Sequence, residues 1–252
     1  MKRHTKILII VIGALLLAAL VLVANIIRSN SVVQDLEVEI RYGRTPVLVD
    51  SQVVRDTVLR AIPQLRQTTV KSVDCDRVTT AASHVPYLTD ITTSTTVSGR
   101  VLVKAKQRRP IARVFYGTRE MYLDQEGALF PISPLGECNV LVMNGEFTEP
   151  LRLDSLNWQM TELWKLACFL DEEEDYGTLV DQAYIEQDGD IMLVPKLGDF
   201  VIELGSADDL EEKFENLWTF FRKGMPRAGW DTYSRLSVKF KGQVVCKKKD
   251  DK

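Results

Sequence analysis

The stretch RVLVKAKQRRPIARVFYG, residues 100–117, determines how the chain is divided. Apolar and polar residues alternate from Arg100 to Lys106, which is the period of a half-buried strand. A short basic junction follows, and from Pro110 a second apolar run leads into Gly117-Thr118, a pair typical of a hairpin turn. We therefore expect one folded unit to end near Lys106 and another to begin directly after it.

Upstream of this junction, the pattern predicts a unit of order β-α-α-β-β over residues 33–106. Leu36 to Ile40 alternates like a strand, and two helices are expected over residues 51–62 and 76–85, each followed by a proline. A threonine-rich strand, residues 90–97, then forms a hairpin with the strand described above. The unit is therefore expected to be a small α+β domain.

Downstream, residues 107–246 are predicted to form a mixed α/β domain with a largely antiparallel sheet. Two amphipathic helices are expected, one from about Leu156 to Leu170 and one from Asp208 to Arg222, the latter capped by Ser206. The predicted strands of the second half are residues 183–187, 191–194, 200–204, 235–240 and 243–246. The lysine-rich end, residues 247–252, is predicted to be a flexible tail.

Residues 7–27 form a run of 21 residues without a charge. At roughly 1.5 Å per residue, a helix of this length spans about 30 Å, the thickness of a bilayer core. Basic residues lie before the run, whereas only Arg28 follows closely, which predicts that residues 1–6 are cytoplasmic and that everything after the helix is outside. A cleaved signal peptide, with Ala24 near its cleavage site, is the alternative, but its apolar region is usually shorter.

Charge and residue usage exclude several functions. The formal net charge is -3, and three basic residues precede Arg28, so residues 28–252 carry about -6, which argues against a general nucleic-acid or anionic-lipid binder. Neither histidine, His4 or His84, has a ligand partner at metal-site spacing. No catalytic or nucleotide-binding motif is present. We therefore predict no enzyme activity, cofactor, metal, nucleic acid or small-molecule substrate.

Two other residue groups leave alternatives open. The four cysteines allow three disulfide pairings or none, and buried free thiols are the preferred interpretation in a chain of this length. The acidic run from Asp171 to Asp175 lacks the spacing of a calcium loop, so a solvated loop is favoured. Neither group indicates chemistry.

Two motifs in the middle of the chain resemble those of a known family. The junction from Lys106 to Ala112 is similar to the run E-R-x-P-x-A of the bacterial cell division family FtsQ/DivIB, with Gln107 in place of the usual glutamate. Farther on, Tyr122 to Phe130 resembles the family pattern l-v-D-x-x-G-x-v-F. In that family the first motif closes a POTRA domain, which also has the order β-α-α-β-β and follows a membrane helix.

The C-terminal part carries further matches in the same order. Phe200 to Gly205 resembles the family pattern i-x-l-G, and Tyr233 to Phe240 resembles y-x-x-i-D-l-R-y. Ser237 and Lys239 replace the usual Asp and Arg. The resemblance covers nearly the whole chain, and it implies a POTRA domain at residues 33–106 and an FtsQ-type β domain at residues 107–246.

The resemblance also implies a function and a place in the cell. Members of this family are non-enzymatic scaffolds that recruit and regulate septal peptidoglycan synthesis outside the inner membrane. The implied partners are similar to FtsB and FtsL, with proteins similar to FtsW, FtsI and FtsK nearby, and the implied location is the division septum. The alternatives are another POTRA-bearing envelope assembly or secretion protein, and a membrane-anchored periplasmic cell-wall enzyme.

In the family, a partner docks on the last strands by adding a strand of its own. A terminal strand has unpaired backbone N–H and C=O groups, which are a template for another chain. We expect side-chain contacts from four residues: Val238, Phe240, Val244 and Cys246. Lys239 and Lys241 are expected to meet acids of the partner; the alternative is a closing strand whose lysines only discourage aggregation. The predicted partner-binding residues are Tyr233, Arg235, Val238, Lys239, Phe240, Lys241, Gln243, Val244 and Val245.

Overall fold

A computed structural model describes residues 11–21, 23, 31–96, 98–153 and 155–249. The chain divides into two compact units, Met1–Arg108 and Arg109–Lys252. Both units combine helices with a sheet, so the predicted α+β fold class is confirmed.

Residues 11–21 and 23 are helical and lie within the segment predicted to cross the membrane. The other residues of that segment, 7–10, 22 and 24–27, lie outside the described residues, as does the predicted cytoplasmic tail, residues 1–6. Within the described part of the chain, no helix is both long and apolar enough to cross a membrane. The transmembrane helix remains a prediction.

The first unit contains the predicted β-α-α-β-β order. Its elements are β1 (Leu36–Arg41), α1 (Ser51–Ala61), two short 3₁₀ turns (Leu65–Gln67 and Val70–Ser72), α2 (Cys75–Ser83), β2 (Leu88–Thr95) and β3 (Val101–Gln107). Residue 97, at the end of the predicted threonine-rich strand, lies outside the described residues. The sheet order is β1-β3-β2, with β1 parallel and β2 antiparallel to β3.

Local signals determine where the helices of this unit begin. The carboxylates of Asp50 and Asp74 accept hydrogen bonds from the backbone N–H groups of Gln52 and Arg77, in the first turns of α1 and α2 respectively. Alternate residues of β3, such as Val101 and Val103, are buried against the helices, and those between them face away. The helices therefore cover one face of the three-stranded sheet.

The buried side chain of Gln107, at the end of β3, is hydrogen-bonded to the loop of residues 45–48. Its side chain accepts a hydrogen bond from Leu48 N at 2.6 Å and donates to Thr45 Oγ1 at 3.1 Å and Pro46 O at 2.9 Å. The residue is only 2% exposed. A glutamate could not donate to Pro46 O, so the departure from the family pattern at this position fits the loop that this chain places against β3.

The second unit is built on a nine-stranded sheet. Its elements are β4 (Pro110–Tyr116), β5 (Arg119–Asp124), β6 (Leu129–Pro131), β7 (Leu141–Gly145), α3 (Trp158–Glu172), α4 (Glu174–Gly177), β8 (Val180–Ile185), β9 (Ile191–Pro195), β10 (Val201–Gly205), α5 (Leu210–Lys223), α6 (Met225–Ala228), β11 (Tyr233–Ser237) and β12 (Val245–Lys248). The strand order is β12-β11-β10-β9-β8-β7-β4-β5-β6.

The sheet is mainly antiparallel, with parallel pairing of β10 with β11, β8 with β7 and β7 with β4. The predicted meander β8-β9-β10 is present. Residues of α3 and α5, including Leu163, Leu166, Phe214 and Leu217, share one core with the inward-facing strand residues.

The tight turn between β5 and β6 accounts for one of the family motifs. Asp124 is fully buried, and its Oδ1 accepts a hydrogen bond from Ala128 N at 2.7 Å. Gly127 has φ +79°, and a Cβ there would lie 3.4 Å from Leu156. Asp and Gly at these positions therefore stabilise the turn.

Several predicted boundaries in the second unit are wrong. Helix α5 begins at Leu210 after Asp209, which has φ 50°, so Ser206 is not its cap. The first closing strand was predicted at residues 235–240 but spans Tyr233–Ser237, so it begins and ends earlier. The last strand begins later than predicted, at Val245, and Lys247–Lys248 belong to it instead of to a flexible tail. Residues 250–252 of that predicted tail lie outside the described residues.

Candidate partner-binding edge

Strand β12 lies at one end of the nine-stranded sheet and pairs only with β11. The register places Ser237 beside Val245, Leu236 beside Cys246 and Arg235 beside Lys247. In the described part of the chain, no strand pairs with the outer side of β12. Its outward backbone N–H and C=O groups are therefore available to a further strand.

The strand beneath this edge is firmly anchored. Leu236 is fully buried and Val238 is 2% exposed, and both belong to the core of the second unit. Val238 N also donates to Glu203 O at 2.9 Å. The side-chain contact that the sequence predicted between Val238 and a partner is therefore not available, because that side chain packs inward.

The connection between β11 and β12 is held against α5. Glu212 accepts a hydrogen bond from Gly242 N at 3.1 Å and pairs with Lys241 at 3.7 Å. Lys239 pairs with Asp190, and this hydrogen bond raises the pKa of the lysine. Both lysines expected to meet acids of a partner thus already have acidic partners within the chain.

The other predicted residues divide by exposure. Phe240 is 54% exposed and Val245 is 47% exposed, so both present apolar surface at or beside the open edge. Arg235 and Gln243 are also exposed, whereas Tyr233 and Val244 are half-buried and pack against the core. The exposed members of the predicted set thus lie in β11, in β12 and in the turn between them.

Sequence reasoning missed two residues of this edge, Lys247 and Lys248. Both are exposed, and neither forms an ion pair with another described residue. Consecutive lysines have no strand-like alternation, so the sequence predicts a tail at Lys247 and Lys248. Their pairing with Arg235 and Tyr233 was the missing signal, and it depends on a partner strand rather than on local sequence.

Ser237, the last residue of β11, has a buried hydroxyl group. It is 6% exposed, and its Oγ has no hydrogen-bond partner among the described residues. It stands where the family pattern has aspartate. A buried aspartate without a partner would cost far more than a buried hydroxyl, so serine is the better-tolerated residue in this environment.

Histidine, cysteine and acidic residues form no metal-binding group within the described part of the chain. His84 is exposed, with Nδ1 2.9 Å from Thr80 O. All four cysteines are free thiols, and burial with nearby acids raises the pKa of Cys168 to about 11. No group of three or more His, Cys, Asp or Glu residues is placed to hold a metal ion in the described residues.

An open groove of about 490 Å³ lies in the second unit beside the start of β4 and the end of α3. Its charged lining residues include Arg109, which donates to Asp171 Oδ1 at 2.6 Å. That hydrogen bond raises the pKa of Arg109. Lys196, also in the lining, donates to Gly177 O at 3.2 Å. The acidic run, predicted as a solvated loop, thus begins in the last turn of α3, where the Asp171 carboxylate is paired with Arg109.

Comparison with known proteins identifies a family. No curated protein matches this chain significantly. The family model described as FtsQ/DivIB, C-terminal related, matches residues 109–247, which is more than half of the chain and includes most of β12. FtsQ/DivIB is a non-enzymatic family with a role in cell division. The chain therefore belongs to the FtsQ/DivIB, C-terminal related family.

Proposed function

We propose that this protein is a membrane-anchored, non-enzymatic scaffold of the bacterial division machinery, and that it captures a partner by strand addition to β12. The open outer edge of β12 carries this proposal. Backbone pairing supplies affinity in such complexes, and side chains beside the edge supply specificity. Phe240, Val245 and Lys247 are the exposed side chains best placed for that role.

The anchor and the first unit complete the proposed organisation. The uncharged run of residues 7–27 would hold the protein in the inner membrane with residues 1–6 in the cytoplasm. The β-α-α-β-β order of the first unit supports its assignment as a POTRA domain, residues 33–106. The partners we propose are FtsB-like and FtsL-like proteins, through which FtsW-like, FtsI-like and FtsK-like proteins would be brought to the septum.

The test is binding of the purified protein to an FtsB-like partner. Val245→Glu places a charge on the exposed edge strand, and we expect binding to weaken at least about tenfold. Phe240→Ala removes exposed apolar surface and should have a smaller effect in the same direction. Val244→Glu is a poorer test, because Val244 packs against the core and its replacement would also disturb folding.

Val194→Glu is the matched control. Val194 is 40% exposed but lies in β9, which has a paired strand on each side. We expect this variant to bind the partner like the wild type. Equal binding by Val245→Glu and wild type, with the fold intact by tryptophan fluorescence, would remove the edge assignment. In cells, a fluorescent fusion should form a midcell band, and a uniform envelope signal would contradict the division role.

A further inference from the structure

The uncovered face of the first unit's sheet carries two like charges side by side. Arg41, the last residue of β1, lies in register with Lys106 of β3, and Lys106 lies in register with Thr89 of β2. Both basic residues are exposed. Arg41, Lys106 and Thr89 therefore form a row across this end of the sheet, which carries a guanidinium, an ammonium and a hydroxyl group.

The acids of the same face are already engaged elsewhere. Glu37 pairs with Arg100 at 3.0 Å and Glu39 pairs with Lys104 at 3.2 Å, farther along the same strands. Within the described residues, no ion pair is formed by Arg41 or Lys106. Like charges placed opposite each other across neighbouring strands destabilise a sheet, so this pair is unfavourable until an anion lies against it.

The acidic residues closest in sequence to Arg41 and Lys106 do not form ion pairs with them in the described part of the chain. Asp50 caps α1 by accepting from Gln52 N. Asp90 follows Thr89 but lies at a bulge with φ 51°, and it forms no ion pair in the described part of the chain. Arg44, exposed and also without an ion pair there, adds a third positive charge three residues beyond Arg41.

We propose that this face, defined by Arg41, Lys106 and Thr89, binds an acidic segment of a partner protein. Two cations and a hydroxyl in one row suit carboxylates presented at strand spacing. The surrounding charge also favours an acidic partner, because residues 28–108 contain 12 basic and 8 acidic residues. The proposal concerns a different unit from β12, so either site can fail while the other stands.

The position of the row favours a protein over a membrane surface. The chain enters the unit beside Thr69 and Gly99, where Val33 N bonds to Thr68 O and Gln34 N to Gly99 O. Arg41 lies at the opposite end of β1, about 20 Å away at roughly 3.3 Å per residue. If the preceding helix is anchored in a bilayer, the basic row is at the end of the unit farther from the chain's point of attachment.

The test uses the full chain in nanodiscs of zwitterionic lipid and a labelled peptide of alternating glutamate and valine, with binding followed by fluorescence anisotropy. We expect binding at low salt that weakens as salt is added. Replacing both cations, Arg41→Gln with Lys106→Gln, should weaken binding about tenfold. The control pair Arg60→Gln with Arg77→Gln removes the same charge from exposed helix positions and should change binding less than about twofold.

A second variant separates recognition from folding. Lys106→Glu gives Arg41 an acidic neighbour, so the melting temperature should not fall, while peptide binding should be lost. Equal losses in the Arg41/Lys106 and Arg60/Arg77 pairs would overturn the proposal. So would loss only in a Lys247→Gln, Lys248→Gln variant, because the peptide would then be bound at β12. A parallel measurement uses vesicles that contain phosphatidylglycerol. If the Arg41→Gln, Lys106→Gln variant loses binding to these vesicles but binds the peptide like the wild type, the face recognises lipid and the proposal is overturned.

Discussion

Residues 28–108 contain 12 basic and 8 acidic residues, whereas residues 109–252 contain 17 basic and 27 acidic residues. The formal charge of the whole chain, -3, averages over this contrast. Composition therefore disfavours anionic partners for the second unit and not for the first. Two units of one chain can thus recognise partners of different charge, and charge has to be assessed unit by unit.

The units also differ in how a buried amide holds them together. In the first, Gln107 ties one loop, residues 45–48, to β3. In the second, Gln159 of α3 accepts from Thr148 N at 2.7 Å and donates to Glu146 O at 2.9 Å and Glu186 O at 3.2 Å. Gln159 therefore joins the end of β7 and the turn after β8 to a helix of the core. We expect its amide to contribute more to stability than that of Gln107.

The largest effect is expected from Gln159→Leu. The change leaves a buried N–H and two carbonyl groups without their partner, which should lower the free energy of unfolding of the second unit by about 3 kcal/mol. All four tryptophans, Trp158, Trp164, Trp218 and Trp230, lie in this unit, so their fluorescence reports its urea unfolding separately.

Gln182→Leu is the control for that measurement. Gln182 is exposed on β8, and the same substitution there should change stability by less than about 0.5 kcal/mol. Similar losses at Gln159 and Gln182 would show that the buried amide is not what joins these elements. A change in the urea unfolding midpoint seen by circular dichroism but not by tryptophan fluorescence would mean that the substitution destabilises the first unit instead of the second.

Gln107→Glu tests the first unit and should have a smaller effect. A carboxylate there still accepts from Leu48 N but faces Pro46 O without a proton to donate, so stability should fall by about 2 kcal/mol at pH 7. Burial raises the pKa of the introduced acid above its unfolded value of about 4.3, so the loss should grow as pH rises through that value and shrink below it.

The measurement is urea unfolding followed by circular dichroism, since the first unit has no tryptophan. Gln34→Glu, the same change at an exposed position of this unit, is the control and should be nearly neutral. A loss at Gln107→Glu that does not depend on pH would mean that the carboxylate is solvated, and the contrast between the two amides would then disappear.

Much of the fold was predictable because it follows local rules. The β-α-α-β-β order was indicated by strand alternation, by helix stripes and by prolines after the helices. The meander β8-β9-β10 followed from short apolar runs separated by turn residues. These signals lie within a few residues of one another, so a single sequence is enough to reveal them.

The candidate edge was less predictable because it depends on pairing between distant segments. Val238 faces the core together with Leu236, two residues earlier, and its N–H bonds to Glu203 O of β10, so it is buried and not open to a partner. The acidic partners of Lys239 and Lys241 come from a turn and a helix far away in sequence. No local pattern indicates either contact.

The smallest effect is expected from Lys239→Gln, which removes the ion pair with Asp190 from the turn beside the proposed edge. The pair is partly exposed, so its loss should cost only about 0.5 kcal/mol at pH 7. The hydrogen bond with Asp190 raises the pKa of Lys239, so this stability is present below the unfolded pKa of about 10.4 and is lost as pH rises through the higher folded value. The difference between wild type and variant, measured by tryptophan fluorescence, should stay constant from about pH 6 to 9 and vanish at higher pH. Asp190→Asn should reproduce it, and a loss approaching that of Gln159→Leu would mean that surface charge, not the buried amide, holds the second unit together.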